Sequence, residues 1–270
     1  MINRSLNIAA VPLPIVRASR QANFAAVEVA MSQIRPDTDL VVLPELFSTG
    51  FISDADTLRR EAEPSDGPAM QLMSRLARRY HMAIAGSFLA KNSDAADASV
   101  FNRAFLMEPS GEVTFYDKRH LFSLSPESTL LKAGNKPMPI VRYRGWNIAL
   151  AVCYDLRFPV WCRNRNMHYD VVLLPSNWPS SRGYAFRHLL IGRAIENQAW
   201  FVGADCSGSD EYGCYDGMTV IVDHEGTIVA QSSSESPAEP VYSTADREQL
   251  ELYRRRMPAW TVADQYKLLN

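Results

Sequence analysis

Three ionisable side chains stand at the ends of apolar runs, and their types could perform chemistry together. Cys153 follows the run WNIALAV, Glu45 closes the run DLVVLPE, and Lys118 closes the run VTFYDK. Short runs of branched and aromatic residues are typical of strands. Sheets of α/β proteins place ligand chemistry in the crevice beyond the carboxyl ends of their strands. The sequence therefore offers a thiol, a carboxylate and an ammonium group at positions suited to an active site.

Each of these residues also has a simpler interpretation when it is considered alone. Cys153 could be a small buried hydrophobic residue, because free cysteines are among the most buried residues. Glu45 could be a solvated acid at a strand end, and Lys118 one charge of the surface cluster at residues 118–120, because lysine and glutamate are mostly exposed. A catalytic interpretation therefore needs support from the rest of the chain.

The segments around the three residues resemble the motifs of the nitrilase superfamily of carbon-nitrogen hydrolases. PELFSTGF at residues 44–51 is similar to the family's glutamate motif, YDKRHLF at 116–122 to its lysine motif, and CYDLRFP at 153–159 to its cysteine motif. Members of this superfamily use a Glu-Lys-Cys triad in that chain order. Three further segments match, so that the resemblance covers nearly the whole chain: GSF at 86–88, LPSNWP at 174–179 and RAIENQ at 193–198.

The residues after the cysteine resemble the omega-amidase branch of this superfamily. True nitrilases typically carry Trp-Glu after the cysteine, whereas this chain has CYDLRFP. The omega-amidase branch removes the side-chain amide of short 2-oxo acids such as 2-oxoglutaramate. One alternative is a related amidase that acts on a deaminated peptide, another linear amide or an N-carbamoyl compound. A catalytically silent binding protein is a further alternative, which the complete triad disfavours.

The resemblance implies a role for each member of the triad. An ordinary thiol and an ordinary glutamate differ by about four pKa units, so proton transfer from Cys153 to Glu45 would cost about 6 kcal/mol without help from the environment. We expect burial to raise the pKa of Glu45 and the ammonium of Lys118 to lower the pKa of Cys153. Glu45 is then the general base and acid, and Cys153 is the nucleophile that forms an acyl thioester. Lys118 and the backbone N–H of Tyr154 would stabilise the oxyanion.

A fourth residue, Glu127, matches the second glutamate that many family members place in the pocket. It would orient Lys118 or the attacking water. Its alternative is a solvated loop acid that follows Pro126.

The proposed substrate also requires a binding site for its remote carboxylate. An arginine suits that end of the molecule, because its guanidinium binds carboxylates bidentately. Arg157, four residues after Cys153, is our candidate, and a buried ion pair with Asp155 is the alternative. Aromatic residues that flank the motifs could form the walls of the pocket: Phe47, Phe122, Tyr154 and Trp178.

The order of predicted elements indicates an α/β fold. Strands that are buried on both faces need helices outside the sheets. This agrees with the four-layer αββα sandwich of the nitrilase type that the resemblance implies, as a single carbon-nitrogen hydrolase domain over residues 1–270. Helical spacing is found in four segments: residues 19–34, 68–80, 184–199 and 245–256. We predict a charged loop at residues 54–67.

Composition limits the classes of partner. A formal net charge of −2 gives no electrostatic footprint for nucleic acid, and no apolar run approaches the roughly 20 residues that cross a membrane. The four cysteines form no C-x-x-C pair and the five histidines no H-x-x-x-H pair, so we expect neither a disulfide framework nor a metal site, and no cofactor. We therefore expect a small amide substrate and a cytoplasmic location, where the thiol stays reduced.

The C-terminal tail, residues 257–270, carries Trp260, Tyr266 and Leu268 but shows no obvious partner for them within one domain. Family members commonly pair through such tails, so we expect the tail to lie at the interface of a homodimer. Packing of the tail on its own subunit is the alternative.

Overall fold

Two six-stranded sheets form the centre of the protein. A computed structural model describes residues 4–92, 99–233 and 238–268. In chain order the strands are β1 (Ser5–Ala10), β2 (Leu40–Val42), β3 (Ala83–Lys91), β4 (Val100–Met107), β5 (Val113–Asp117), β6 (Ile140–Tyr143), β7 (Trp146–Leu150), β8 (Val171–Ser176), β9 (Trp200–Asp205), β10 (Ser207–Asp210), β11 (Gly213–Asp216), β12 (Val220–Val222), β13 (Ile228–Gln231) and β14 (Val241–Asp246).

The strand order brings several carboxyl ends to one edge of each sheet. The first sheet has the order β14-β1-β2-β3-β4-β5 and the second the order β13-β12-β9-β8-β7-β6, while β10 and β11 form a separate two-stranded sheet. In the first sheet β1, β2 and β3 are parallel, and in the second β7, β8 and β9 are parallel. The remaining pairs are antiparallel.

The helices are α1 (Arg20–Gln33), α2 (Ala55–Glu61), α3 (Pro68–Tyr80), α4 (Glu127–Leu130), α5 (Gly183–Asn197) and α6 (Arg247–Arg256). Short 3-10 helices are formed by Cys153–Arg157, Arg165–Met167, Ser180–Arg182 and Ala259–Val262. Within the described ranges, no helix combines the length and the apolar character that crossing a membrane requires.

Both sheets bury apolar side chains on two faces, so each sheet packs against the other sheet on one face and against helices on the opposite face. The two sheets share one core, to which both contribute side chains such as Ile8, Val42, Ile148 and Val172. The opposite face of the first sheet packs against α1 and α3, and α5 packs on the second sheet through Phe186 and Leu190. The predicted α/β class and αββα arrangement are therefore confirmed.

The prediction of a charged loop at residues 54–67 is wrong, because α2 (Ala55–Glu61) lies within it. Asp54 caps this helix and accepts a hydrogen bond from the backbone N–H of Thr57 at 2.8 Å. Only Leu58 and Glu61 of the helix are buried. Such a short helix with one buried apolar residue has no apolar periodicity that a sequence pattern can reveal.

The start of the last predicted helix also needs correction. Ala245 belongs to β14, and α6 begins at Arg247 after the cap residue Asp246. The side chain of Asp246 accepts hydrogen bonds from the backbone N–H groups of Glu248 and Gln249, which ends the strand and starts the helix.

Candidate active site

Glu45, Lys118 and Cys153 meet between the two sheets. The Nζ atom of Lys118 lies 2.8 Å from Oε1 of Glu45, and all three residues are buried. Glu45 follows β2 of the first sheet, and its backbone N–H donates to the carbonyl of Ser176 at the end of β8 in the second sheet, at 3.2 Å. The site is therefore built where strand ends of both sheets approach each other.

Glu127 joins this cluster at the start of α4. Its carboxylate accepts hydrogen bonds from Nζ of Lys118 at 2.8 and 3.0 Å, and from the backbone N–H of Phe122 at 2.7 Å. Only 3% of the residue is exposed, so Glu127 is not a solvated loop acid. The ammonium of Lys118 is thus shared between two carboxylates, which fixes its position and compensates its charge.

Asn102, which the sequence analysis did not identify, holds the two carboxylates from the other side. It lies on β4, and its Nδ2 donates to Oε1 of Glu45 at 2.6 Å and approaches Oε1 of Glu127 at 3.3 Å. The residue is completely buried. Its signal in the sequence is a lone amide within the apolar strand VFNRAFLM, since a buried polar side chain requires a partner.

Asp155 connects the lysine and cysteine segments. Its fully buried carboxylate accepts hydrogen bonds from the hydroxyl of Tyr116 at 2.9 Å and from the backbone N–H of Val152 at 3.0 Å. It also accepts from the backbone N–H of His120 at 3.0 Å and lies 2.7 Å from Nδ1 of that residue. Residues on both sides of Lys118 are therefore fixed to the turn that carries Cys153.

Cys153 occupies a constrained turn after β7. Its φ of 43° is in the left-handed region, which is uncommon for a residue with a Cβ. The residue also begins the 3-10 helix Cys153–Arg157. The backbone N–H of Tyr154 therefore lies in the first helical turn, where N–H groups have no partner within the helix. This geometry makes it available to a ligand beside the thiol.

The pKa directions follow from burial and from the three charges. Burial raises the pKa of Glu45, and the charge of Lys118 offsets part of this effect. Burial opposes the charge of Lys118, but the carboxylates of Glu127 and Glu45 raise the pKa of Lys118 well above its usual value, so it stays protonated. The site therefore holds a base stronger than an ordinary carboxylate beside a permanent cation.

The charge of Lys118 lowers the pKa of Cys153, as expected, but it does not set the net direction in the resting site. Burial and the negative charge of Glu45 raise the pKa of the Cys153 thiol, and together they outweigh the opposing effects of Lys118 and of the Asn177 backbone N–H. The proton therefore rests on sulfur until a reaction removes it.

A cavity of about 140 Å³ opens above these groups. Glu45, Lys118, Glu127 and Cys153 line it. Of the predicted aromatic walls, Phe122, Tyr154 and Trp178 line it, whereas Phe47 is buried in the core beside α1 and α3. Tyr212 and Tyr215 of the β10–β11 hairpin also line the cavity. Nothing in the sequence analysis identified this hairpin, because its strands are polar and short.

Arg157 lies at this cavity, and the predicted alternative of an ion pair with Asp155 is not formed. Its guanidinium is 5.1 Å from the centre of the Trp178 ring and 6.0 Å from that of Tyr154. Asp155 is occupied by the four hydrogen bonds described above. Arg182, which was not predicted, also lines the cavity.

Comparison with known proteins gives a family match over most of the chain. The model of the carbon-nitrogen hydrolase family matches residues 7–255. A protein named omega-amidase YafV from Escherichia coli strain K12 is 37% identical over 264 residues, which cover 97% of this chain and 98% of that protein. A protein named 2-oxoglutaramate amidase from Bacillus subtilis is 30% identical over 217 residues, which cover 79% of this chain and 81% of that protein.

A solved structure has the same fold. XC1258 from Xanthomonas campestris is described as a CN-hydrolase superfamily protein with an arsenic adduct in its active site. It superposes with a TM-score of 0.91 at 32% sequence identity, covering 98% of this chain and 100% of that chain.

Proposed function

The chain belongs to the carbon-nitrogen hydrolase family, and we propose that it is an omega-amidase that releases ammonia from small 2-oxo acid amides such as 2-oxoglutaramate. The observation that carries the proposal is the buried contact of Lys118 with Glu45 and Glu127 beside Cys153, at the base of a cavity that also contains arginine. The names and identities of the relatives from Escherichia coli and Bacillus subtilis support the substrate class.

In the proposed first half of the reaction, the substrate amide carbon lies against the sulfur of Cys153. Glu45 takes the thiol proton as sulfur attacks, so that a thiolate is not needed before substrate binds. The oxygen of the amide gains negative charge and is stabilised by Nζ of Lys118 and the backbone N–H of Tyr154. Glu45 then donates its proton to the nitrogen, the carbon-nitrogen bond breaks, and ammonia leaves an acyl thioester on Cys153.

In the second half, water attacks the thioester carbon and Glu45 accepts a proton from that water. The same two donors stabilise the second oxyanion. The carbon-sulfur bond then breaks, the proton returns to Cys153, and the free acid leaves. Glu127 acts by holding Lys118 in place through its hydrogen bonds at 2.8 and 3.0 Å.

The raised pKa of Glu45 suits this cycle, since one residue must both accept and donate protons near neutral pH. An ordinary glutamate would be a weaker base toward a thiol. In the proposed binding mode, Arg157 binds the remote carboxylate, while Phe122 and Trp178 enclose the short carbon chain.

The proposal is tested by ammonia release from 2-oxoglutaramate, glutamine and an uncharged aliphatic amide. We expect strong turnover of 2-oxoglutaramate. Turnover of glutamine should be weaker, because glutamine places a cation where the 2-oxo group would lie. Turnover of glutamine or of the uncharged amide at an equal rate would overturn the substrate assignment.

Absence of turnover with all three amides would redirect the function to one of the two alternatives. Alkylation of Cys153 by chloroacetamide, a small amide itself, separates them. A reactive thiol would indicate a hydrolase for larger or N-carbamoyl substrates, whereas an inert thiol would indicate a binding protein.

We also propose that two copies of the chain form a homodimer through the C-terminal tail. Within the tail, Trp260 is 38% exposed, Val262 85% and Leu268 45%, which leaves apolar surface for a partner. The tail also contacts its own chain, since the hydroxyl of Tyr266 donates to the carbonyl of Val160 at 2.8 Å. Light scattering during size-exclusion chromatography should give twice the mass of one chain, and a monomer at micromolar concentration would exclude this proposal.

A cytoplasmic location is likewise a proposal. The thiols of Cys153, Cys162, Cys206 and Cys214 are all free, as a reducing compartment would keep them. Fractionation of cells should recover the protein with cytoplasmic markers, and recovery with membranes or in the medium would contradict this.

A further inference from the structure

We propose that Arg182 is a second specificity-determining residue, which binds the substrate carboxylate together with Arg157. This inference rests on the proposed omega-amidase function and deepens it. In this proposal, two guanidinium groups form a binding site for a small monoanion in the cavity.

Arg182 is presented to the cavity by a fixed backbone. It is the last residue of the 3-10 helix Ser180–Arg182, and its backbone N–H donates to the carbonyl of Pro179 at 2.8 Å. Its carbonyl accepts a hydrogen bond from Nε1 of Trp178 at 3.1 Å. Trp178, which forms one wall of the cavity, therefore also fixes the backbone of Arg182.

The side chain of Arg182 lies over an aromatic ring that forms another wall of the cavity. Its guanidinium is 4.7 Å from the centre of the Phe122 ring, and the residue is half-buried. Arg157 lies in the same way over Trp178, at 5.1 Å. An aromatic face holds a guanidinium without using its N–H groups as hydrogen-bond donors, so that they can still bind a planar acceptor such as a carboxylate.

The charges of the cavity also favour an anion. The ammonium of Lys118 is compensated by Glu45 and Glu127. Within residues 4–92, 99–233 and 238–268, neither Arg157 nor Arg182 has a carboxylate partner. With both glutamates ionised, the charged residues that line the cavity leave one net positive charge, which matches a substrate with one carboxylate.

Two arginines suit a 2-oxo acid better than one. The carboxylate and the adjacent 2-oxo group present three oxygen acceptors close together, whereas one guanidinium pairs bidentately with only two. The second guanidinium binds the oxygens that the first leaves open. Cations placed at the remote end also leave the amide end free to reach Cys153.

The test compares Arg182→Gln with the wild type on 2-oxoglutaramate and on an uncharged amide of similar length. Because hydrogen bonds to charged groups are strong, we expect the KM for 2-oxoglutaramate to rise about tenfold or more, with kcat nearly unchanged. Inhibition by 2-oxoglutarate should weaken by a similar factor. The KM for the uncharged amide should stay the same, and Arg182→Lys should recover part of the loss.

Arg187→Gln is the matched control. Arg187 is an exposed residue of α5 that does not line the cavity, so its replacement should change neither KM. An equal KM for 2-oxoglutaramate in wild type and Arg182→Gln, or an equal change for both substrates, would overturn the role of Arg182. A melting temperature close to that of wild type checks that the variant is folded, and Arg182→Lys provides the same comparison if it is not.

Failure of this inference differs from failure of the proposed function. If wild type prefers 2-oxoglutaramate and Arg182→Gln retains that preference, only the role of Arg182 is wrong. If wild type hydrolyses the uncharged amide but not 2-oxoglutaramate, the proposed function is wrong and the inference fails with it.

Discussion

Asp155 and His120 are joined by two short contacts, from the carboxylate to the backbone N–H at 3.0 Å and to Nδ1 at 2.7 Å. Asp155 follows Cys153 by two residues, and His120 follows Lys118 by two residues. The contacts therefore brace the segment of the proposed nucleophile, Cys153, against the segment of Lys118, the proposed oxyanion donor. Because Asp155 belongs to the cysteine segment and His120 to the lysine segment, loss of these contacts would allow the two segments to move apart.

We predict that Asp155→Asn lowers both activity and stability. The amide group replaces one of two oxygens that accept hydrogen bonds from four donors, so buried donors are left facing an N–H group. We expect stability to fall by about 1–3 kcal/mol and kcat by about tenfold to a hundredfold. Thermal unfolding and ammonia release measure the two effects. Asp56→Asn, on the exposed surface of α2, is the control, and wild-type kcat in Asp155→Asn would refute the bracing role.

A second prediction concerns the ionisation of Cys153. The negative charge of Glu45 helps to raise the pKa of the thiol, so Glu45→Gln should move thiolate formation to lower pH while it abolishes turnover. The pH dependence of alkylation by chloroacetamide is measured for wild type and for Glu45→Gln, and the comparison gives the direction in which the pKa of the thiol moves. The denatured protein provides the reference for an ordinary thiol.

The same experiment needs a background without other reactive thiols. Cys214→Ala removes the exposed cysteine, so that alkylation reports on Cys153. A thiolate that forms at higher pH in Glu45→Gln than in wild type would show that the carboxylate stabilises the thiolate, contrary to the repulsion expected between the two negative charges.

A third prediction concerns the close approach of Gly134 to the lysine segment. Its backbone N–H donates to the carbonyl of Lys118 at 2.9 Å, and an added Cβ would overlap the backbone carbonyl of Asp117. Gly134→Ala should therefore displace this segment, lower stability by about 1–3 kcal/mol and reduce kcat. Thermal unfolding and steady-state kinetics test both.

Gly192→Ala is the matched control for this substitution. An added Cβ there meets nothing within 4 Å, and the position lies inside α5. Alanine should leave activity unchanged and stabilise the helix by up to about 1 kcal/mol. Equal stability of the two variants would contradict the proposed overlap at Gly134.

The sequence predicts the elements that bury continuous apolar runs. The Glu45, Lys118 and Cys153 segments follow β2, β5 and β7, and the main helices begin and end within a few residues of their predicted bounds. The β10–β11 hairpin has the sequences SGSD and GCYD, whose polar residues give no apolar alternation. Its position depends on contacts with distant residues, such as the ion pair of Glu211 with Arg17 at 2.6 Å, which no local pattern reveals.

In the site, too, some residues could be predicted from their neighbours in the sequence, whereas others are placed by contacts with distant residues. Motifs identify the triad segments, because the proposed catalytic residues have neighbours of characteristic type. Asn102 and Arg182 acquire their positions only when β4 and the 3-10 helix before α5 are packed beside the triad. The direction of the Cys153 pKa also depends on how deeply the thiol is buried, which the spacing of charges along the chain does not determine.

Ammonia release from 2-oxoglutaramate by Cys153→Ala tests whether this thiol carries the acyl group, with Cys214→Ala as the matched cysteine control. Cys214 is exposed on β11, and its replacement should leave the rate at the wild-type value. If Cys153 carries the acyl group, Cys153→Ala should release ammonia no faster than the solution without enzyme. Measurable turnover by a folded Cys153→Ala protein would contradict the thioester mechanism.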